Sequence, residues 1–405
     1  MTRALLVCPE PLGHGQPAGI GIRFTEMANV LLADGHQVTL LSRDGGPVAG
    51  CRAAAVSPES LRDASAESDV AVVQGHVAND FFAHARPIPT AIDLYDPFII
   101  ENLHYYAERG AEVFAHDHAT LLRSVERADV FLCASDAQRL FYLGVLLAAG
   151  RLNPIVFESD PRLESLLRIA PFGVQAPQPA APRDLERPAI LFGGIYDWYD
   201  PLLAIDAVAL ARRELPRITL TFTRHPNPSL TPQGKTAAAM EHARRHGYDF
   251  VKFEPWVPYD GRGAWFEQFA AALLTFPQSL ETDLSMRTRV YDYLWGGLPI
   301  VTSSAPGTDE LLMRYGAGAV VRGGSAQEYA AELGRVLHNH QRMTEGARRF
   351  AEEHQWQRVL QPLLDFVRAP RFERSKDAFG VKLELPDRPP SMLDRIKRRV
   401  RRVAG

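Results

Sequence analysis

Three cysteines in 405 residues are too few for a disulfide framework, and Cys8, Cys51 and Cys133 lie too far apart for a zinc site. The odd, sparse set suits a reducing compartment, so a cytoplasmic location is expected. No run approaches the roughly 18 apolar residues of a membrane span. Residues 1–7 enter an apolar strand pattern at once, so no leader peptide is expected. Low-complexity tracts and repeats of solenoid length are absent too. An excess of one charge is also lacking: 45 Lys and Arg against 48 Asp and Glu give a net of −3, which does not suit a nucleic-acid binder. What remains is a balanced composition, 46% hydrophobic and 23% charged, in a chain long enough for two cores.

Apolar runs at residues 4–8, 37–41, 70–73, 90–94 and 130–134 alternate with helical or irregular segments, the first a helix over 22–33 that Gly35 ends. This is a βαβ series, and it predicts a parallel sheet. A proline-rich stretch, residues 171–188, cannot continue a helix or a central strand and reads as a linker. The rhythm restarts with strands at 189–192, 218–222, 250–253, 271–276 and 298–302 and helices at 202–214 and 234–246. Two doubly wound α/β domains are expected, with a ligand in the cleft at the carboxyl ends of their strands.

The densest chemistry lies in residues 281–304. Ser285 is placed to cap a helix running to Trp295, which Gly296 and Gly297 end. The first-turn N–H groups would then face an anion, with Arg287 and Arg289 adding full charge. Arg289 and Asp292, three residues apart, would serve equally as a surface ion pair. A carboxylate only accepts hydrogen bonds and can take two from a ribose diol, which suits Asp292. Glu281, beyond the carboxyl end of the 271–276 strand, is the candidate for sugar contact. Gly193 and Gly194 let backbone approach a ligand, or serve a tight turn. In the first half, Asp93 and Asp96 end a strand. Asp96 before Pro97 fits a helix N-cap, which leaves Asp93 as the catalytic or acceptor-binding candidate. His116 and His118 read as ordinary histidines.

Gly19-Ile-Gly21-Ile-Arg23, with residues 26–32 and Gly35-His36-Gln37-Val38-Thr39, resembles the first loop and helix of GT-B glycosyltransferases, especially glycosyltransferase family 4. Ala134-Ser135, Ala170-Pro171-Phe172-Gly173-Val174 and residues 296–302 are similar to later motifs of that family, in the same order, over about residues 1–365. Residues 93–98 and 287–295 resemble a bacterial subgroup. The resemblance implies a GT-B fold of two facing Rossmann-like domains: 1–175 on the acceptor side, linker 176–188, a nucleotide-sugar domain 189–354, a crossover helix 355–368 and a basic tail 369–405. It implies glycosyl transfer from a nucleoside diphosphate sugar to an acceptor hydroxyl, with retention, in bacterial glycan or glycolipid assembly. The saccharide or lipid-linked acceptor would give its proton to the leaving phosphate oxygen, so neither a cofactor nor a metal is required. Gly19, Gly21 and Arg23 would form the loop beside the leaving phosphate or the acceptor.

Family 4 carries two glutamates with seven residues between them. Asp292 takes the second place here, and ten residues instead of seven separate it from Glu281. The Arg and Lys that often follow the first strand of the second domain are missing from Gly193-Gly-Ile-Tyr-Asp-Trp-Tyr-Asp200. Phosphate charge must then be met by Arg287, Arg289 or Arg224.

Residues 391–405 carry one Lys, five Arg and one Asp, so the rest of the chain carries −8. Met392, Leu393, Ile396, Val400 and Val403 share a helical face, which suits an interfacial helix on anionic lipid or a solvated tail. Two rival functions stay open. Gly13-His-Gly15-Gln-Pro-Ala18, with Arg43 at the end of the next strand, matches a dinucleotide pattern and would make the chain an NADP-dependent oxidoreductase, although Pro17 and three more residues precede the helix. A non-catalytic module that binds sugar nucleotides or a partner transferase is the other.

Overall fold

The computed structural model describes residues 1–13, 19–106, 110–179, 181–224 and 234–379. Residues 380–405, which hold the amphipathic part of the basic tail, and most of the dinucleotide pattern, residues 14–18, lie outside the described residues. No described helix is long and apolar enough to cross a membrane.

Val- and Leu-rich runs that are apolar on both faces form parallel strands buried on both faces, because helices cover the two sides of such a sheet. The first sheet contains β1 (Arg3–Val7), β2 (Gln37–Ser42), β3 (Arg52–Ala55), β4 (Val70–Val73), β5 (Thr90–Asp93), β6 (Val130–Cys133) and β7 (Leu167–Ile169). Its order is β3-β2-β1-β4-β5-β6-β7, and every pair is parallel. The second contains β8 (Ala189–Gly194), β9 (Thr219–Thr223), β10 (Val251–Glu254), β11 (Ala271–Leu274), β12 (Ile300–Ser303) and β13 (Gly318–Val321). Its order is β10-β9-β8-β11-β12-β13, again parallel throughout.

The sequence pattern locates the central strands and misses β3, β7 and β13. All three lie at or beside sheet edges, where one face stays wet and the apolar run thins out. β3 is Arg-Ala-Ala-Ala and mostly exposed.

The chain returns to the first sheet after the second is complete. In place of one crossover helix, Trp356–Val359 and Gln361–Arg368 are separate turns of helix, broken where Pro362 lacks an N–H. Arg168 donates from Nη1 to Pro362 O at 2.9 Å, and Arg368 pairs with Asp34 at 2.6 Å. The following residues also cling to the first sheet: Glu373 meets Arg151 at 3.2 Å and Lys376 meets Asp129 at 2.6 Å. Gly173 passes so close to Trp356 that a Cβ would stand 2.4 Å from its ring, so only glycine fits this crossing.

Candidate functional site

The two sheets meet at their carboxyl ends. Tyr95 Oη donates to Met286 O at 2.8 Å, and the buried Gln138 carboxamide donates from Nε2 to Leu284 O at 2.8 Å and to Tyr95 O at 2.9 Å. Side chains of the first domain therefore clamp the backbone of residues 284–286, within the charged segment that the sequence singles out.

Gly19 and Gly21 belong to the first turn of the helix Gly19–Ala33, where a loop is expected from the sequence. Glu10, just past β1, accepts the Gly21 N–H at 2.8 Å, so a carboxylate already complements this helix start. A Cβ on Gly19 would lie 3.2 Å from Thr288 Cγ2. Thr288 opens the helix Thr288–Trp295 of the second domain. Two helix N-termini thus face each other across the cleft.

Ser285 does not cap that helix. It ends the preceding short helix Leu280–Leu284, where its own N–H bonds Glu281 O at 2.8 Å, and its hydroxyl turns to Glu101 across the domain boundary at 3.3 Å. Arg287 occupies the N-cap place with no side-chain cap. Its guanidinium is spent on Glu281, at 2.9 and 3.3 Å, with the two side chains only 4% and 2% exposed, and it lies over the Phe276 ring. Neither side chain is open to the cleft in this arrangement. Spacing placed them as separate ligand groups, but the turn at 285–287 folds one onto the other.

Arg289 and Asp292 do not pair with each other either. Arg289 reaches back over Gly193–Gly194, donating to Gly194 O at 2.7 Å and Phe192 O at 3.3 Å, with its plane over the Tyr199 ring. Gly193 has φ +83°, and a Cβ there would stand 2.3 Å from Tyr293 Oη. That glycine serves the packing of the 288–295 helix against β8 as well as the approach of Arg289. Asp292 meets Arg262, Oδ1 to Nη1 at 2.9 Å, but off the line a hydrogen bond needs, so this oxygen keeps an unused accepting position. Burial pushes the Asp292 carboxyl above its ordinary range, and Arg262 pulls it back. Arg224 is exposed beyond β9, its N–H bonded to Glu254 O.

In the first domain, Arg23 and Asp93 form a bidentate pair at 2.6 and 3.0 Å, and both side chains are fully buried. The remaining Arg23 donors satisfy Pro171 O and Ala170 O at 2.8 Å each. Both residues were expected to face a ligand. Instead they fasten the Gly19–Ala33 helix, β5 and the start of the linker to one another. A buried guanidinium left without its carboxylate would be far too costly for any other arrangement.

Asp96 is not an N-cap, since Pro97 takes that place with ψ 57° and the short helix Phe98–Glu101 has no side-chain cap. Burial drives the Asp96 carboxyl well above its ordinary range, and the neighbouring Glu101 adds to the effect. Their mutual hydrogen bond raises Asp96 and lowers Glu101, which favours the shared proton on Asp96. Burial, and then Glu281, raise Glu101 as well. Groups with raised folded-state pKa stabilise fully below their unfolded values, near 4, and that contribution is lost as pH rises through the folded values. Asp96→Asn keeps the shape and the neutral donor at every pH. Its melting temperature should therefore exceed the wild type's at pH 8 and converge on it near pH 4; a constant difference across that range would contradict the shared proton.

Sequence reasoning missed Glu10, Glu101, Arg262 and the pair Tyr196 and Trp198. The last two stack at 5.0 Å and 3° beyond β8, half-buried at the mouth of the second sheet. The aromatic density of residues 196–199 was their available signal. Glu10 and Arg262 carry none, because only the tertiary fold brings them to the cleft. Among the described residues no three His, Cys, Asp or Glu side chains gather as a metal site.

Neither a protein-family model nor a curated protein sequence matches the chain. Solved structures do. Anabaena HepE in complex with UDP-glucose superposes with a TM-score of 0.63 at 14% identity, over 91% of this chain and 100% of that one. Sucrose-phosphate synthase from Thermosynechococcus elongatus gives 0.61 at 11% identity, over 91% and 98%. WaaG, a glycosyltransferase of lipopolysaccharide biosynthesis, gives 0.59 at 14%, over 90% and 100%. At such identities the likeness concerns the fold, and the fold is GT-B.

Proposed function

We propose that this chain transfers a glycosyl group from a nucleoside diphosphate sugar to an acceptor hydroxyl, with residues 1–175 serving the acceptor, 189–354 the donor and 355–368 crossing back. One observation carries this reading: the starts of the Gly19–Ala33 and Thr288–Trp295 helices meet across the cleft beside Arg289 and the Gly193–Gly194 turn. Two helix N-termini and a guanidinium converging on one place suit a diphosphate, whose charge grows as the sugar leaves, although Glu10 already takes the Gly21 N–H of one of them. In this reading Arg289 carries the charge that the missing Arg and Lys would have supplied. The stacked Tyr196 and Trp198 offer a flat face to the base, and the spare Asp292 oxygen accepts from the ribose. Glu281 and Arg287 hold the floor of the site as a pair. The leaving phosphate oxygen takes the acceptor proton on the same face, so the sugar keeps its configuration without a protein nucleophile or a metal. The UDP-glucose in the HepE structure makes uridine donors the first to try.

Binding without turnover is the second reading. It is favoured by the engagement of Arg23 with Asp93 and of Arg287 with Glu281, which leaves few charged groups open to a reacting sugar. Thermal stabilisation by UDP, GDP, dTDP and ADP sugars, on wild type and Asp292→Ala, tests both. One base should stabilise the wild type by several degrees and the variant much less, with nucleoside diphosphate released on incubation. Stabilisation without release would favour the second reading, and no stabilisation by any donor would sink both.

A further inference from the structure

The chain order of the first sheet reverses between β1 and β4, and the crevice beyond such a switch point is where doubly wound sheets take ligands. Gln74 follows β4 directly. The register pairs Val7 with Val73 and Val73 with Ile92, so Gln74 comes next in line with Cys8 and Asp93. It is 2% exposed, and among the described residues neither its Nε2 nor its Oε1 has a hydrogen-bond partner. A buried carboxamide with both ends unused is strongly unfavourable, and such a group is completed by an ordered water or by a ligand.

Two residues on, past the left-handed Gly75, stands His76. Its Nε2 lies 2.6 Å from Oδ1 of Asp117, which is 1% exposed and takes the Asn102 amide at 2.8 Å on its other oxygen. A carboxylate partner accepts, so Nε2 is the donor in this contact, and in the neutral imidazole Nδ1 then presents a lone pair. Nδ1 has no hydrogen bond among the described residues, and the side chain is 39% exposed. The ring is held between Phe98, at 4.9 Å, and His116, stacked at 5.2 Å and 7°. A histidine fixed in tautomer by a buried aspartate and in orientation by two rings is prepared to receive a donor from outside.

We propose that Gln74 and His76, with Asp117 as the positioning residue, form a site for a saccharide hydroxyl at the switch point of the first sheet. His76 Nδ1 accepts from the hydroxyl. The Gln74 carboxamide, one donor group and one acceptor, matches an adjacent hydroxyl that both gives and takes a hydrogen bond. The exposed Phe114 ring, linked to the site through Tyr106, offers an apolar face to the sugar ring. His116 thereby has a role, as a ring that holds His76. This inference rests on the glycosyl-transfer reading only in identifying the occupant as the acceptor.

The test uses the full chain and four methyl glycosides as probes: glucoside, galactoside, mannoside and N-acetylglucosaminide. The imidazole resonances of His76, assigned with His76→Gln, should shift saturably with at least one glycoside. Asp117→Asn should weaken that binding about tenfold by releasing the tautomer. His76→Gln takes a donor from the buried Asp117 and so lowers the melting temperature, but it should abolish glycoside binding while leaving the added stabilisation by nucleotide sugars unchanged. If no glycoside moves the His76 signals in a sample that a nucleotide sugar stabilises, the proposal is wrong and the donor reading survives. If glycosides bind at His76 but no nucleotide sugar stabilises the chain, the donor reading fails and this site stands.

Discussion

Arg23→Met is expected to lower the stability of the first domain by about 3–5 kcal/mol, because it strands the Asp93 carboxylate in a fully buried place. It also leaves Ala170 O and Pro171 O without donors, at the point where the first sheet passes into the linker. For a domain of this size the first unfolding transition should fall by roughly 6–20 °C. Arg23→Met combined with Asp93→Leu removes both charges and should recover much of the loss, since an apolar pair in such a site is often as stable as the ion pair. Differential scanning calorimetry on the two variants decides it. If the single variant melts like wild type, the pair is not the fastener described here, and Arg23 and Asp93 return as candidates for ligand contact.

Arg289→Ala should have the largest functional effect. Arg289 is the guanidinium beside both helix starts, and no lysine or second arginine follows β8 to take over its charge. Removal of a preorganised group that meets developing charge typically reduces turnover by about 10²–10³-fold. Nucleoside diphosphate release from whichever donor stabilises the wild type should fall by that order, and diphosphate binding should weaken with it. Arg289→Lys restores charge without the planar fork that spans Phe192 O and Gly194 O, so it should recover only part of the rate. Unchanged release from Arg289→Ala would move the diphosphate away from the Gly193–Gly194 turn.

The architecture was readable because it is written in local patterns. The apolar runs at residues 70–73 and 130–134 are strands in the middle of a sheet, and the helix 234–246 has the bounds the periodicity indicated. Three of the four edge strands escaped notice for the same reason: β3, for one, is mostly exposed and has little apolar pattern to show. Site residues were found as a neighbourhood more than as individuals. Residues 281–292 do lie at the domain boundary, as the backbone bonds from Tyr95 and Gln138 to 286 and 284 show. Their individual partners could not be inferred from spacing. Helical arithmetic offered Asp292 to Arg289, yet Arg289 turns to carbonyls of β8 and Asp292 to Arg262, thirty residues upstream.

By itself, then, the sequence determined the alternation of the central strands with their helices, the break near residue 180 and the glycines that let backbone pass closely. Periodicity and backbone conformational preference act over a few residues, and a reader of the chain sees all of them at once. Only the tertiary structure decided which charge meets which. Arg23 with Asp93, Arg287 with Glu281, Arg262 with Asp292 and His76 with Asp117 are set by burial and by contacts across 6 to 70 positions of chain. The energy of an ionic group depends chiefly on how much water its surroundings exclude, and that is a property of the assembled cleft.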